Sequence, residues 1–189
     1  VGGITAERAL DYGFTGPNLR AAGVDYDVRV MNPYSSYQDF EFDLPLGSNG
    51  DTYDRFCVRQ EEMWQSLRII KQALKNLPDG PFHADVPEYY LPPKNDVYTS
   101  MEGLIYHFKI VMGEIDVPKG QVYQSVEGGN GELGFYLVSD GGRQPYRLHF
   151  RRPCFIYYQA YPEMIKGAML SDAILTMSSM NVIAGELDA

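Results

Sequence analysis

A chain of 189 residues with 25 acidic and 16 basic side chains carries a formal net charge of -9. That length can bury one substantial core, and the acidic balance excludes a nucleic-acid binder, which needs a basic footprint. Two cysteines, Cys57 and Cys154, form no CxxC pair; this argues against a disulfide framework or a tetrathiolate site and reads as buried thiols in a reducing compartment.

Residues 4–10 read as a short helix that Gly13, Gly16 and Pro17 end. The stretch 23–50 is rich in Tyr, Asp, Pro and Ser and has no sustained period, so it reads as an extended, irregular segment. Asp51 or Thr52 can cap a helix over 53–77. Its positions Phe56, Met63, Leu67, Ile70, Leu74 and Leu77 form one apolar stripe, and Pro78-Asp79-Gly80 stops it. The four prolines of 81–95 mark an irregular crossing. Thr99-Ser100-Met101-Glu102 has the pattern of a capping box, with Thr99 and Glu102 as its partners. The helix it opens, 99–113, is expected to bury Met101, Leu104, Ile105, Phe108 and Met112.

A small sheet over 121–152 follows, with strands at 121–127, 133–139 and 146–152 and hairpin turns at Gly128-Gly129-Asn130-Gly131 and Ser139-Asp140-Gly141-Gly142. Helices over 161–170 and 171–180 close the chain. The expected fold is α+β, a single domain over 1–189 with helices packed around a small antiparallel sheet. No apolar run approaches the roughly 18 to 20 residues of a membrane span.

Several side chains carry possible chemistry. In the third strand Arg147, His149 and Arg151, with Arg152 next to them, make a basic stripe that is either a solvated, salt-bridged face or a partner contact. Asp140, in the turn, suits a structural role, accepting backbone hydrogen bonds. Arg20 sits in a Gly-Pro setting where its guanidinium either clamps a carboxylate of its own or a neighbouring chain or lies on the surface beside a turn. His83 and His107 have no neighbours at metal-ligand spacing, so no metal site is expected.

The wording of several segments is distinctive. GELGFYLVSDGGRQPYRLHFRRPCF at 131–155, GFTGPNLRAAGV at 13–24, PYSSY at 33–37, FDLPLG at 42–47 and GELD at 185–188 mark it. Together they resemble, in the family's order, the D subunit of NADH-quinone oxidoreductase, respiratory complex I, a family related to the large subunit of nickel–iron hydrogenases. The resemblance covers essentially the whole chain but only the C-terminal half of that family, so the chain is expected to be a fragment. The His and Tyr with which the family holds the quinone head group then lie outside it. Hydrogen chemistry is disfavoured because the second CxxC pair that would hold nickel is missing near the C-terminus.

What the resemblance implies is a protein that helps form the quinone chamber beside a terminal iron–sulfur cluster and couples electron transfer from NADH to proton translocation. Quinone is then the substrate of the complex; iron–sulfur clusters, flavin and NADH sit on partner subunits. The implied partners are the iron–sulfur protein with the terminal cluster, the C subunit and the membrane protein at the quinone entrance. The implied location is peripheral, on the cytoplasmic side of the cell membrane. The closing segment 181–189 is similar to the family's D-x-V-F-G-E-V-D-R, which implies a cavity lining by Asn181, Ile183, Gly185 and Glu186. There Ile183 serves as an apolar wall, Gly185 permits close backbone approach and Glu186 fixes a neighbouring cation. Asn181, Ala184 and Ala189 depart from that pattern, as do Asn130 and Ile156-Tyr157-Tyr158 from theirs. The alternatives are a scaffold without a redox role of its own, or part of a ferredoxin- or deazaflavin-linked quinone oxidoreductase.

Overall fold

The computed structural model describes residues 1–82, 84–86, 89–113, 117–142 and 144–188. His83 and Ala189, both considered above, lie outside the described residues. The architecture is α+β: helices accompany a three-stranded antiparallel sheet of β1 (Gly120–Gly128), β2 (Gly131–Ser139) and β3 (Arg147–Arg151), paired in that order. The chain divides into two compact units. The first comprises Val1–Leu77, Gln124–Phe135 and Phe150–Ala189, the second Pro78–Tyr123 and Tyr136–His149.

In the first unit, α1 (Ala6–Asp11) is opened by Thr5, whose hydroxyl accepts from the Arg8 amide at 3.3 Å. Gly16 and Pro17, expected to end a helix, instead begin α2 (Gly16–Ala21), because a proline in the first turn lacks only an N–H that has no helical partner anyway. Asp27 caps the short α3 (Val28–Met31), and a 3-10 turn follows at Tyr37–Asp39. The stretch 23–50 is therefore interrupted by two helical turns. Part of the rest lies along α4 (Thr52–Asn76), and side chains supply the missing backbone partners. The amide of Glu41 donates to Gln72 Oε1 at 2.9 Å, Gln72 Nε2 donates back to the Glu41 carbonyl at 2.7 Å, and the amide of Asp43 donates to Gln65 Oε1 at 3.1 Å.

Asp51 caps α4 by accepting from the Asp54 amide at 3.0 Å. The apolar stripe expected to be buried is open: Phe56, Met63, Leu67, Ile70, Leu74 and Leu77 are between 46% and 74% exposed. The face turned to the rest of this unit carries Arg55 and Val58 instead. Periodicity establishes that a helix has an apolar face, not that its own chain covers it.

The core gathers Ile4, Ala9, Phe14, Leu19, Ala22, Cys154, Tyr157, Ala160, Met164 and Met180. Phe14 meets Tyr157 edge-on at 5.8 Å between ring centres. Cys154 and Tyr157 come from α7 (Pro153–Tyr158) and Met164 from α8 (Tyr161–Met164). The helix expected to reach 170 stops at Met164, and Gly167 in the link has a left-handed φ of +79°. The chain resumes as α9 (Leu170–Met180) and ends in α10 (Ala184–Asp188). Cys57, expected to be buried, is exposed on α4; Cys154 is buried.

On the surface of this unit Arg8 Nη2 and the Tyr12 hydroxyl both reach Glu163 Oε2, each at 2.7 Å. These donors, Arg8 first, hold the Glu163 carboxyl down at about 2. A depressed carboxyl contributes stability above its ordinary value and loses it as pH falls through the folded one. Acid titration followed by the Glu163 carboxyl NMR shift should therefore show no protonation until pH approaches about 2. Arg8→Ala should return the midpoint toward the ordinary glutamate value of about 4.3.

In the second unit, α5 (Lys94–Thr99) precedes α6 (Met101–Met112). Ser100 caps α6, accepting from the Gly103 amide at 3.3 Å and donating to Glu102 Oε2 at 3.1 Å. Thr99, expected in that role, belongs to α5 and donates to the Asn95 carbonyl at 2.9 Å. Only a glycine fits at 103, since a β-carbon there would stand 2.6 Å from the Asp96 carbonyl oxygen. Met101, Leu104, Ile105, Phe108 and Met112, expected to be buried, are exposed for the same reason as the stripe of α4. No helix among the described residues is long and apolar enough to cross a membrane.

Candidate functional site

Two buried polar clusters organise the first unit. One fixes the closing segment. Helix α9 ends at Asn181, whose left-handed backbone (φ +57°) turns the chain back toward α7. Asn181 Nδ2 donates to Asn130 Oδ1, in the β1–β2 turn, at 2.6 Å. The Tyr157 hydroxyl donates to the Asn181 carbonyl at 3.2 Å and lies 2.8 Å from Cys154 Sγ. Asn130 Nδ2 completes the circuit by donating to that sulfur at 3.4 Å. Further on, Glu186 Oε1 accepts the Cys154 amide at 2.8 Å and so ties α10 to the start of α7.

Burial pushes the Cys154 thiol up, and Glu186 adds to it. The Tyr157 phenol is raised well above its ordinary value, first by burial and then by its bond to Cys154. Both groups stay protonated at neutral pH. They are hydrogen-bonding posts, not nucleophiles.

The second cluster surrounds Arg20, which is 1% exposed. Its Nε and Nη2 reach Glu62 Oε1 at 2.8 and 2.7 Å; its Nη1 reaches Glu127 Oε1 at 3.0 Å, Asp27 Oδ2 at 3.1 Å and the Tyr26 carbonyl at 2.9 Å. Arg29 joins from the side, with Nη2 2.6 Å from Asp27 Oδ2. Two guanidiniums thus face three carboxylates, with one negative charge in excess. Burial pushes the Glu127 carboxyl up and Arg20 pulls it partway back.

The expected site residues fall into separate settings. Asn181 and Glu186 are both anchored on the Cys154–Tyr157 helix. Ile183 is 49% exposed. Gly185 does not mark a close approach within this chain: a β-carbon there would meet nothing within 4 Å among the described residues. Arg20 bonds carboxylates of its own chain and is not a surface residue. Arg151 is pinned by carbonyls, donating to Glu132 O at 2.7 Å and Gly13 O at 3.1 Å. In the second unit, Asp140 Oδ1 accepts the Gly142 amide at 2.8 Å across the turn, and Arg147 and His149 are exposed.

Sequence reasoning does not single out Asn130, Cys154 and Tyr157 for the closing segment, nor Glu62 and Glu127 for the Arg20 cluster. Their partners lie tens of residues away in sequence. The only local signal is that Asn130 and Tyr157 depart from the family wording. Among the described residues, no three His, Cys, Asp or Glu side chains converge as a metal-ligand set.

Two open clefts flank the closing segment, and Asn181 lines both. One, of about 410 Å³, is bordered by Tyr158, Met177, Val182, Ala184 and Leu187. The other, of about 750 Å³, runs between α4 and α9. The chain is α+β, with two internally hydrogen-bonded polar clusters and open apolar faces on α4 and α6.

Comparison with known proteins gives the family. The family described as "Respiratory-chain NADH dehydrogenase, 49 Kd subunit" matches residues 1–189, and the chain belongs to it. A relative from Cytophaga hutchinsonii, named as the second D subunit of an NADH-quinone oxidoreductase, is 76% identical over all of this chain and 49% of its own length. The corresponding D subunit of Flavobacterium johnsoniae is 75% identical over all of this chain and 46% of its own. A Bdellovibrio bacteriovorus relative, named as a C/D subunit of the same enzyme, is 53% identical over 98% of this chain and 33% of its own. The chain thus spans about half the length of the first two relatives.

Proposed function

We propose that this chain is part of a subunit of an NADH:quinone oxidoreductase and that its closing segment forms part of the wall of the quinone chamber. One observation carries the reading. The segment is tied down by the Asn181–Asn130 and Glu186–Cys154 hydrogen bonds and by Val182 and Leu187 packed against the core, while Ile183 and Ala184 stay exposed. An apolar ligand is positioned best by an apolar surface whose own backbone cannot yield. The two anchoring bonds and the packed Val182 and Leu187 give that rigidity, and Ile183 supplies the apolar surface.

In this reading the electrons reach quinone from an iron–sulfur cluster on a neighbouring subunit, with NADH and flavin further away. The protein lies against the cytoplasmic side of the membrane through its partners and contributes to coupling with proton translocation. Its residues position the quinone, and the partners' cofactors carry the redox chemistry.

The test is Ile183→Ala in the assembled complex. Shortening an apolar wall by a few carbons should raise the KM for quinone by roughly tenfold and shift the potency of quinone-competitive inhibitors by a similar factor. The rate with an artificial acceptor that does not use the quinone chamber should stay unchanged. Unaltered KM and inhibitor potency would remove the wall role. The second reading, an assembly scaffold, would then lead, since the open stripes on α4 and α6 favour it.

A further inference from the structure

The closing segment is also held from its near side, where α9 ends, by bonds that the quinone reading does not use. Two carbonyls in the last turn of α9 take donors from other helices. Arg59 Nη1, on α4, donates to the Ser179 carbonyl at 2.6 Å. Asn18 Nδ2, on α2, donates to the Met180 carbonyl at 3.2 Å. Arg59 Nη2 joins the two by donating to Asn18 Oδ1 at 3.0 Å and to the Met180 carbonyl at 3.4 Å. Carbonyls of a last turn have no partner within their own helix, and the negative end of the helix dipole favours a cation there. Asn18 and Met180 are both buried, so this triangle of bonds is closed off from water.

Two arginines of α4, one helical turn apart, meet the end of α9, and they differ in what else they hold. Arg55 Nε donates to Ser179 Oγ at 2.9 Å, but its other nitrogens bond the Gly50 and Gly2 carbonyls, each at 2.8 Å, and Thr52 Oγ1 at 3.1 Å. Arg55 therefore ties several parts of the first unit together. Arg59 makes one further bond, to the Arg55 carbonyl of its own helix at 3.4 Å, and its Nε makes none among the described residues. Its two terminal nitrogens alone grip the end of α9. Burial pulls this guanidinium down and Glu62 is among the groups that oppose it, so the cation faces negative charge of its own chain. From Met180 the backbone passes through the left-handed Asn181 and reaches Ile183 three residues on. Asn130, Tyr157 and Cys154 hold the far side of that turn; the Arg59 fork holds the near side.

We infer that Arg59 is a positioning residue for quinone: by fixing the Ser179 and Met180 carbonyls it sets the direction in which the closing segment leaves α9, and with it the place of Ile183. The inference rests on the proposed wall of the quinone chamber. Arg59 acts through the backbone of α9 and needs no contact with the quinone. A guanidinium suits this task because its planar fork serves two successive carbonyls and an amide oxygen at once, where an ammonium would reach fewer of them. A wall held in place binds the quinone equally before and during reduction, so its loosening weakens binding and leaves the chemical step alone.

The test is Arg59→Gln and Arg59→Lys in the assembled complex. Hydrogen–deuterium exchange, read by mass spectrometry on the peptides covering 181–188 and 6–11, is measured beside the quinone kinetics. In Arg59→Gln the closing segment should exchange roughly tenfold faster, the scale of one charge-assisted hydrogen bond, while α1 stays as it was. The KM for quinone should rise by a similar factor, with kcat and the artificial-acceptor rate unchanged. Arg59→Lys should show the same changes in smaller measure, and it carries the same readings if Arg59→Gln does not assemble. Unchanged exchange in the closing segment would overturn the inference, and so would an equal acceleration in α1, which marks a general loss of stability. Faster local exchange with an unchanged KM would overturn it too, and Ile183→Ala then separates the causes. A KM raised by Ile183→Ala keeps the quinone wall and removes Arg59 from its control; an unchanged one removes the wall itself.

Discussion

Arg20→Ala should cost the full-length protein about 3 to 5 kcal/mol, the penalty for leaving buried charges without their partner. The cluster explains the size. Arg20 alone touches all three carboxylates, and Asp27 and Glu127 are buried beside it. Among the described residues, its removal would leave Arg29 paired with Asp27, and Glu127 with the hydrogen bond from the Val28 amide at 3.3 Å. Arg20→Lys should fare little better, because one ammonium cannot supply donors to Glu62, Glu127 and the Tyr26 carbonyl in the fork that the guanidinium provides.

Glu127→Gln makes the sharper comparison. It removes the excess negative charge and keeps the shape, so the expected change is about 1 kcal/mol or less, the net worth of one ordinary hydrogen bond. It should also change the pH profile. Glu127 is raised, so the stability it contributes is full below the ordinary glutamate value and is lost as pH rises through the folded one. Urea midpoints across the mildly acidic range should therefore decline less with rising pH in Glu127→Gln than in the parent. A large loss for Glu127→Gln with an unchanged slope would mean that the cluster does not carry an excess charge.

What can be read from the sequence depends on how far apart the interacting residues are. The cap at Asp51 and the turn at Asp140-Gly141-Gly142 are local signals and are legible. Gly16-Pro17 misleads because the same two residues can end one helix or begin another, and the choice rests on contacts with residues more than a hundred positions away. The apolar stripe of α4 is visible and its burial is not, since that depends on surfaces the described residues do not supply. Asn181 and Glu186 can be nominated by family wording alone. Their anchors, Asn130, Tyr157 and Cys154, come together only when the hairpin turn and α7 meet the end of α9. Arg20 can be nominated as a clamp, but which carboxylates it clamps cannot be read from positions 27, 62 and 127.

Gly16 is the residue at which two of the distinctive segments touch. Its φ is +67°, and a β-carbon there would run into the backbone of Gly131, the first residue of the GELG segment. Gly131 answers with a φ of +132°, and a β-carbon on it would stand 2.6 Å from Thr15 Oγ1 and 2.9 Å from the Thr15 carbonyl oxygen. Around this crossing Thr15 Oγ1 accepts the Glu132 amide at 3.0 Å, and Arg151 bridges the Glu132 and Gly13 carbonyls. Gly16→Ala combines a left-handed backbone with a collision of its β-carbon against the Gly131 backbone that no side-chain rotation relieves. The expected loss is at least about 3 kcal/mol, measured as the shift in urea midpoint of the full-length protein. Gly185→Ala, where a β-carbon meets nothing within 4 Å among the described residues, should stay within about 0.5 kcal/mol. The crossing sets the β1–β2 turn against α2, and that turn carries Asn130, the partner of Asn181. Misplacing it should therefore loosen the closing segment as well as the fold, and Gly16→Ala protein that still assembles should show a weakened response to quinone-competitive inhibitors.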